Sequence, residues 1–224
     1  MNPLPPGRYD AIFSCYEIAA EQRCFANATF FNDSGRMYID DTARTYHVPR
    51  TIQVTLNGHS IKGFDERVPV GWPEPLSWRI TGNDRYPSVT RTIQSDSAIE
   101  FFSPSADTLN AFDSIVVRYH APKSIDSVLF HYSYFGDCVY KRDTTKTEHS
   151  GQSYYYKVRN ESNLQNGGRY VIPPLKVFDY IKSFKPEKLM IQIMWARGDS
   201  VHVGDYVYGF EASGHNTRFY RLKP

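Results

Sequence analysis

Gly198-Asp199-Ser200, inside "RGDSVHVGD", is the stretch of this 224-residue chain whose letters come nearest to a nucleophile signature. SGNH-type hydrolases carry the same three letters around their serine. Such a serine needs a base to take its proton and donors for the developing oxyanion. The base there comes from an Asp-x-x-His near the C-terminus. The last histidine here, His215 in "SGHN", has no aspartate three residues before it. Arg197 to Ser200 therefore reads as a polar turn between "MIQIMW" and "VHV", and the embedded Arg-Gly-Asp as part of that turn. The seven histidines, at 47, 59, 120, 131, 149, 202 and 215, show no H-x-H or H-E-x-x-H spacing. No metal centre is expected from them, and no cofactor. "NDSG", "GFDE" and "GNDR" offer Asp and Asn oxygens, but none completes a calcium loop, and Asx-turns account for them. Asp65, Glu66 and Glu74 lie in turn-like segments, where solvated carboxylates are the default.

Aromatic side chains are the richer vocabulary. The chain has 17 Tyr, 14 Phe and 3 Trp. Trp72 sits in "VGWPEP", where prolines preclude regular structure, so its ring either stacks on a ligand or plugs a sheet edge. "YYYK" places Tyr154 and Tyr156 on one side of a strand and Tyr155 on the other. One set belongs to the core and the other forms a face for binding or for solvent. Trp72, Tyr154 and Tyr156 are the candidate ligand-binding residues.

Strands must position these rings. Ala is sparse while Val, Ile, Thr, Tyr and Phe abound, which is strand-leaning usage. In "TIQVTLNGHSIKGF", Asn57-Gly58 is the preferred two-residue hairpin loop. That register sets Leu56 opposite His59 and Val54 opposite Ile61, with Ile52, Val54, Leu56 and Ile61 on one face. Leu76, Trp78 and Ile80 alternate likewise, as do Val89, Arg91 and Ile93 less cleanly. "CFANATFFND" and "SGRMYI" read as strand, turn, strand. "SIVVRYH" and "SVLFHYSYF" flank the turn "APKSID". Pairing His120 with Ser127 sets Ile115 opposite Tyr132, Val117 opposite Phe130 and Tyr119 opposite Val128, all on one face. Turn signals recur every 8–12 residues or so, the rhythm of an all-β sandwich. The Ser/Pro/Asp-rich stretch 103–113 divides the chain into modules 1–102 and 103–224. One segment departs from the β rhythm: "PPLKVFDYIKSF" spaces its apolar residues by three and four, which predicts a short helix near 174–183.

Composition excludes some partners. Twenty-six basic residues stand against 24 acidic ones, a net charge of +2. With no basic run, nucleic acid and anionic membrane surfaces are not expected partners. No apolar run approaches the roughly 20 residues of a membrane span.

Several stretches carry a resemblance. "CFANATFFNDSG", "TIQVTLNG", "LSWRITGND" with "YPSVTRTI", "IEFFSPS" and "DSIVVRYH" follow the order of motifs in a group of Bacteroidota cell-surface lipoproteins of unknown function. "NGGRYVIPPLKVF" is similar to their N-x-G-x-Y-x-I-P motif before a short helix, and "YVYGFEAS" to their closing strand. The likeness covers most of the chain, but its motifs are hairpin turns and core aromatics. It implies tandem immunoglobulin-like β-sandwich modules and a cell-envelope location, with a lipid anchor on a leader removed from this chain. It carries over no catalytic residue. The cytoplasm is the alternative location.

The cysteines bear on that location. If "YDAIFSC" and "CFANATFF" pair with Tyr16 opposite Arg23, Cys15 lies opposite Cys24, near enough for a disulfide that an oxidising compartment would permit. Cys138 would remain a small buried residue. The alternative is three reduced core cysteines. The functional expectation is a noncatalytic exported or surface-anchored module that binds glycan or protein. A structural spacer of the envelope, and an enzyme with an unrecognised site, are the alternatives.

Overall fold

A computed structural model describes the chain except residues 1–3, 5–6, 19–22, 33–38, 41–44, 47, 97–98, 122–124, 126, 160–167 and 224. The described residues are all-β, and nearly all strand pairings are antiparallel. Two compact units divide the chain: Met1–Ala98 with Ala196–Gly214, and Ile99–Trp195 with His215–Pro224.

The first unit holds β1 (Ala11–Ile18), β2 (Arg23–Phe30), the short pair β3 (Ile39–Asp40) and β4 (Thr45–Tyr46), β5 (Val54–Leu56), β6 (His59–Ile61), β7 (Glu66–Val68), β8 (Pro75–Ile80) and β9 (Val89–Gln94). One of its sheets runs β6-β5-β8-β9, and β1, β2 and β7 are successive neighbours in another. The Asn57-Gly58 turn forms as read. Val54 pairs with Ile61 and Leu56 with His59, and both loop residues have positive φ, 47° and 84°. Leu56, Leu76, Trp78 and Ile80 are buried. From β1 Phe13 meets Trp78 of β8 at 5.7 Å between ring centroids, so the apolar faces of the two sheets share a core. Of the strand-turn-strand expected at "CFANATFFND" and "SGRMYI", the first strand is β2, and the turn and most of the second strand lie outside the described residues.

The second unit begins with β10 (Glu100–Ser103), β11 (Thr108–Asn110), β12 (Ile115–His120), β13 (Ser127–Tyr140), β14 (Asp143–Arg159) and β15 (Gly168–Ile172). Two long strands follow, β16 (Ile181–Val203) and β17 (Tyr206–Lys223), joined at the turn Gly204–Asp205. A three-stranded sheet runs β10-β12-β15; the other order is β14-β13-β16-β17, with β11 attached to β17 in parallel. The sequence segments 1–102 and 103–224 were each expected to be continuous modules. Instead residues Ala196–Gly214, the ends of β16 and β17 nearest their turn, count with the first unit.

Three local expectations are corrected. First, "SIVVRYH" and "SVLFHYSYF" are not a hairpin. β12 pairs with β10 and β15, while β13 pairs with β14 and β16. Val117, Tyr119, Val128, Phe130 and Tyr132 are all buried as expected, but they meet across the core between two sheets: the Tyr119 ring lies edge-on to Phe130 at 5.1 Å. Second, no helix occurs among the described residues. Pro173 to Phe178 is irregular, Asp179-Tyr180 is a turn, and Ile181 already begins β16. Two prolines and a β-branched residue disfavour so short a helix, and the segment's backbone is bonded elsewhere. Leu175 donates to the Ala111 carbonyl at 2.8 Å, and Phe178 to the Gln152 side-chain oxygen at 3.2 Å. Third, Arg197 to Ser200 is not a turn, because β16 runs through it and the chain reverses at Gly204, φ 61°.

Candidate functional site

Alternation along β14 decides where its tyrosines go. Gln152, Tyr154 and Tyr156 pair with Tyr134, Tyr132 and Phe130 of β13, so their side chains share one face. Tyr155 takes the other face, stacked on His131 at 4.2 Å with an 8° tilt. β14 ends the order of its sheet, so its inward side chains stand at a sheet edge. Tyr132 and Tyr134 are buried, whereas Tyr156 keeps 41% and Tyr180 59% of its surface exposed.

The rings form one continuous row. Phe130 stacks on Tyr170 of β15 at 4.4 Å. Tyr170 adjoins Tyr156 at 5.8 Å. Tyr156 and Tyr154 stack on either side of Tyr132, at 5.8 and 5.0 Å. Phe178 follows Tyr154 at 5.4 Å, Tyr180 follows Phe178 at 5.5 Å, and Tyr140 follows Tyr180 at 6.2 Å. The Arg142 guanidinium caps the end, 5.2 Å from the Tyr140 centroid. Near-parallel rings at these separations are offset stacks, which overlap in part and leave ring edges and part of each face uncovered. The irregular segment 173–178 is what completes the row: the Tyr154 hydroxyl donates to the Lys176 carbonyl at 2.9 Å, which holds Phe178 and the following Tyr180 beside β14. Burial pushes the Tyr170 phenol up to about 12, and burial with the hydrogen bond to Tyr156 pushes Tyr132 well above the usual range. Tyr170 and Tyr132 are therefore uncharged at neutral pH, and the row is amphipathic, with hydroxyl tips on an apolar body.

Trp72 lies in the first unit, half-buried. Its indole N–H points at the Cys24 sulfur at 2.5 Å, and Glu74 beside it exchanges two hydrogen bonds with Ser95. The ring is seated against a cysteine with one polar atom committed. Tyr154 and Tyr156 are brought together, in the second unit.

Cys15 and Cys24 do not oppose each other. β1 and β2 pair two residues out of the expected register, with Tyr16 opposite Phe25, Cys15 opposite Ala26 and Cys24 opposite Glu17. The two cysteines become diagonal neighbours, a relation whose Cα separation of about 7–8 Å exceeds what a disulfide spans. All three cysteines are buried free thiols. Burial raises the Cys24 thiol to about 11, so it is protonated at neutral pH and a weak nucleophile.

Ser200 donates its backbone N–H to Asp199, which is itself paired with Arg91 of the same unit. A different serine-histidine contact escaped the sequence reading. Ser133 Oγ lies 2.9 Å from His131 Nε2, and His131 Nδ1 lies 3.3 Å from Gln192 Oε1. The H-x-S spacing on one strand, which puts both on one face, is the signal that could have found it. These residues stand on a sheet whose neighbouring backbone N–H groups serve ladders on both sides of β13. Ser133 also bonds Ser153 at 2.7 Å. The cluster supplies a nucleophile and a base but no oxyanion donors. Among the described residues no three of His, Cys, Asp and Glu converge on a metal position. In "GNDR" Asn83 Oδ1 accepts from the N–H groups of Arg85 and Tyr86 at 2.9 and 2.7 Å, the Asx-turn expected of it. Comparison with family models, curated proteins and solved structures gives no match to this chain.

Proposed function

We propose that the protein is a noncatalytic binding module of the cell envelope whose ligand is a neutral glycan, and that the tyrosine row of the second unit is its binding face. The observation that carries this reading is the row itself: stacked, pre-positioned rings with Tyr156 and Tyr180 open to solvent in part. Sugar rings present apolar C–H faces and a rim of hydroxyls. Offset tyrosines offer the complementary pattern, ring surface beside hydroxyl tips, at little entropic cost because the rings are held by one another. The immunoglobulin-like assignment, the export and the lipid anchor rest on the resemblance described above. A monomeric spacer has no need of such a row.

Glycan-array screening of the full chain, followed by titration of the strongest neutral hit, tests the reading. Tyr180→Ala should weaken binding about tenfold, equivalent to about 1.4 kcal/mol. Trp72→Phe should leave it unchanged. Loss of binding with Trp72→Phe and none with Tyr180→Ala would move the site to the first unit.

A further inference from the structure

A groove of about 1110 Å3 opens at the ends of β16 and β17 in the second unit, apart from the residues of the tyrosine row. A bulge builds it. Phe135 pairs with Lys188 and Gly136 with Pro186, which leaves Glu187 as an extra residue in β16. Alternation would hide either Glu187 or Lys188; with the bulge both are exposed, as is Lys185. Gly136 permits this approach, since a Cβ there would overlap the Lys185 carbonyl. From β17, Phe219 and Arg221 face solvent while Tyr220 and Leu222 are buried. The Lys188 ammonium sits 4.1 Å from the Phe219 centroid, and the ring still keeps 55% of its surface exposed. Asp107 completes the wall. Among the described residues none of Lys185, Lys188, Arg221, Asp107 and Glu187 is in an ion pair.

We propose that this groove is a subsite for a uronic-acid residue of an acidic glycan. The chemistry of its lining divides three ways. Phe219 offers a ring surface for the apolar face of a pyranose. Arg221 and the Lys188 ammonium, held in place over that ring, take the planar carboxylate, which a guanidinium recognises with two parallel hydrogen bonds. Asp107 and Glu187 accept from sugar hydroxyls. A polyacidic peptide has no hydroxyls to offer those two carboxylates; a uronate has both groups. The site stands independently of the tyrosine row.

Titration of the full chain with oligogalacturonate and oligoglucuronate tests it, against the methyl-esterified oligomers, which keep the ring and lose the charge. The acids should bind at least tenfold tighter than their esters, and the difference should shrink at high salt. Arg221→Gln and Lys188→Gln should each remove most of that difference. Phe219→Ala should weaken acid and ester alike. Tyr180→Ala should change none of these values, which separates failure of this site from failure of the tyrosine row. All three groove positions are exposed, and circular dichroism checks that the variants fold. Equal binding of acid and ester, binding of neither, retention of the difference in Arg221→Gln and Lys188→Gln, or equally tight binding of poly-glutamate of matched charge would overturn the proposal.

Discussion

At Asn57-Gly58, two adjacent letters determine a turn. Both residues take left-handed φ, and a Cβ added at Gly58 would meet nothing within 4 Å, so only conformation restricts that position. Gly58→Val should therefore destabilise the protein by about 1–2 kcal/mol, while Gly58→Asn should cost less, since Asn tolerates the left-handed region. Thermal melts of both variants check this; equal losses would mean that the turn does not depend on φ. This turn was legible because its chemistry is local. The Cys15–Cys24 relation was not. A one-residue slip would expose the apolar set of β1, but a two-residue slip leaves Phe13, Cys15, Cys24 and Ala26 all facing inward. Alternation is blind to that shift, so the sequence could not choose between a cross-strand and a diagonal pair.

Elements were legible where alternation alone defines them, and misleading where the partner had to be guessed. Nearly every expected strand exists, and the inward residues of β8, β12 and β13 are those read from the sequence. Matching apolar faces in β12 and β13 suggested a hairpin, yet facing strands of two sheets present the same pattern to a common core. The segment 174–183 shows the converse error. Its three-and-four spacing falls on Leu175 and Ile181, which are buried, and on Phe178, which stacks on Tyr154, along an irregular path broken by the turn at Asp179-Tyr180. The tyrosine row was half-visible in "YYYK"; Phe178 and Tyr180 were hidden by the helical reading. The bulge at Glu187 left no sequence signal except Gly136, which lies on another strand. Gly136→Ala should cost about 1–3 kcal/mol, because the Lys185 backbone occupies the space a methyl would need. A melting temperature equal to that of the parent protein would show that the bulge relaxes without penalty.

For the whole molecule, burial of phenols and thiols predicts an alkaline limit. Burial raises Cys24 to about 11 and Tyr119 and Tyr170 to about 12, and moves Tyr134 and Tyr208 upward as well. A group whose folded pKa lies above its unfolded value stabilises fully below the unfolded value, about 9 for a thiol and about 10 for a phenol, and loses that contribution as pH rises through the folded value. Stability should thus be insensitive to these groups up to about pH 9 and fall from there toward pH 12. Melting temperatures across that range, read beside tyrosinate absorbance, test it; phenols that ionise with ordinary pKa in the folded protein would contradict it. The functional account stands or falls on whether the tyrosine row is a binding face. Native gels cast with neutral polysaccharides, a β-glucan, a xylan, a mannan, a galactan and an α-glucan, measure this directly on the full chain. At least one should retard the parent protein, and the Tyr156→Ala/Tyr180→Ala double variant should migrate in it as in an empty gel. Free migration of the parent protein through all five, or equal retardation of the folded double variant, would contradict the account.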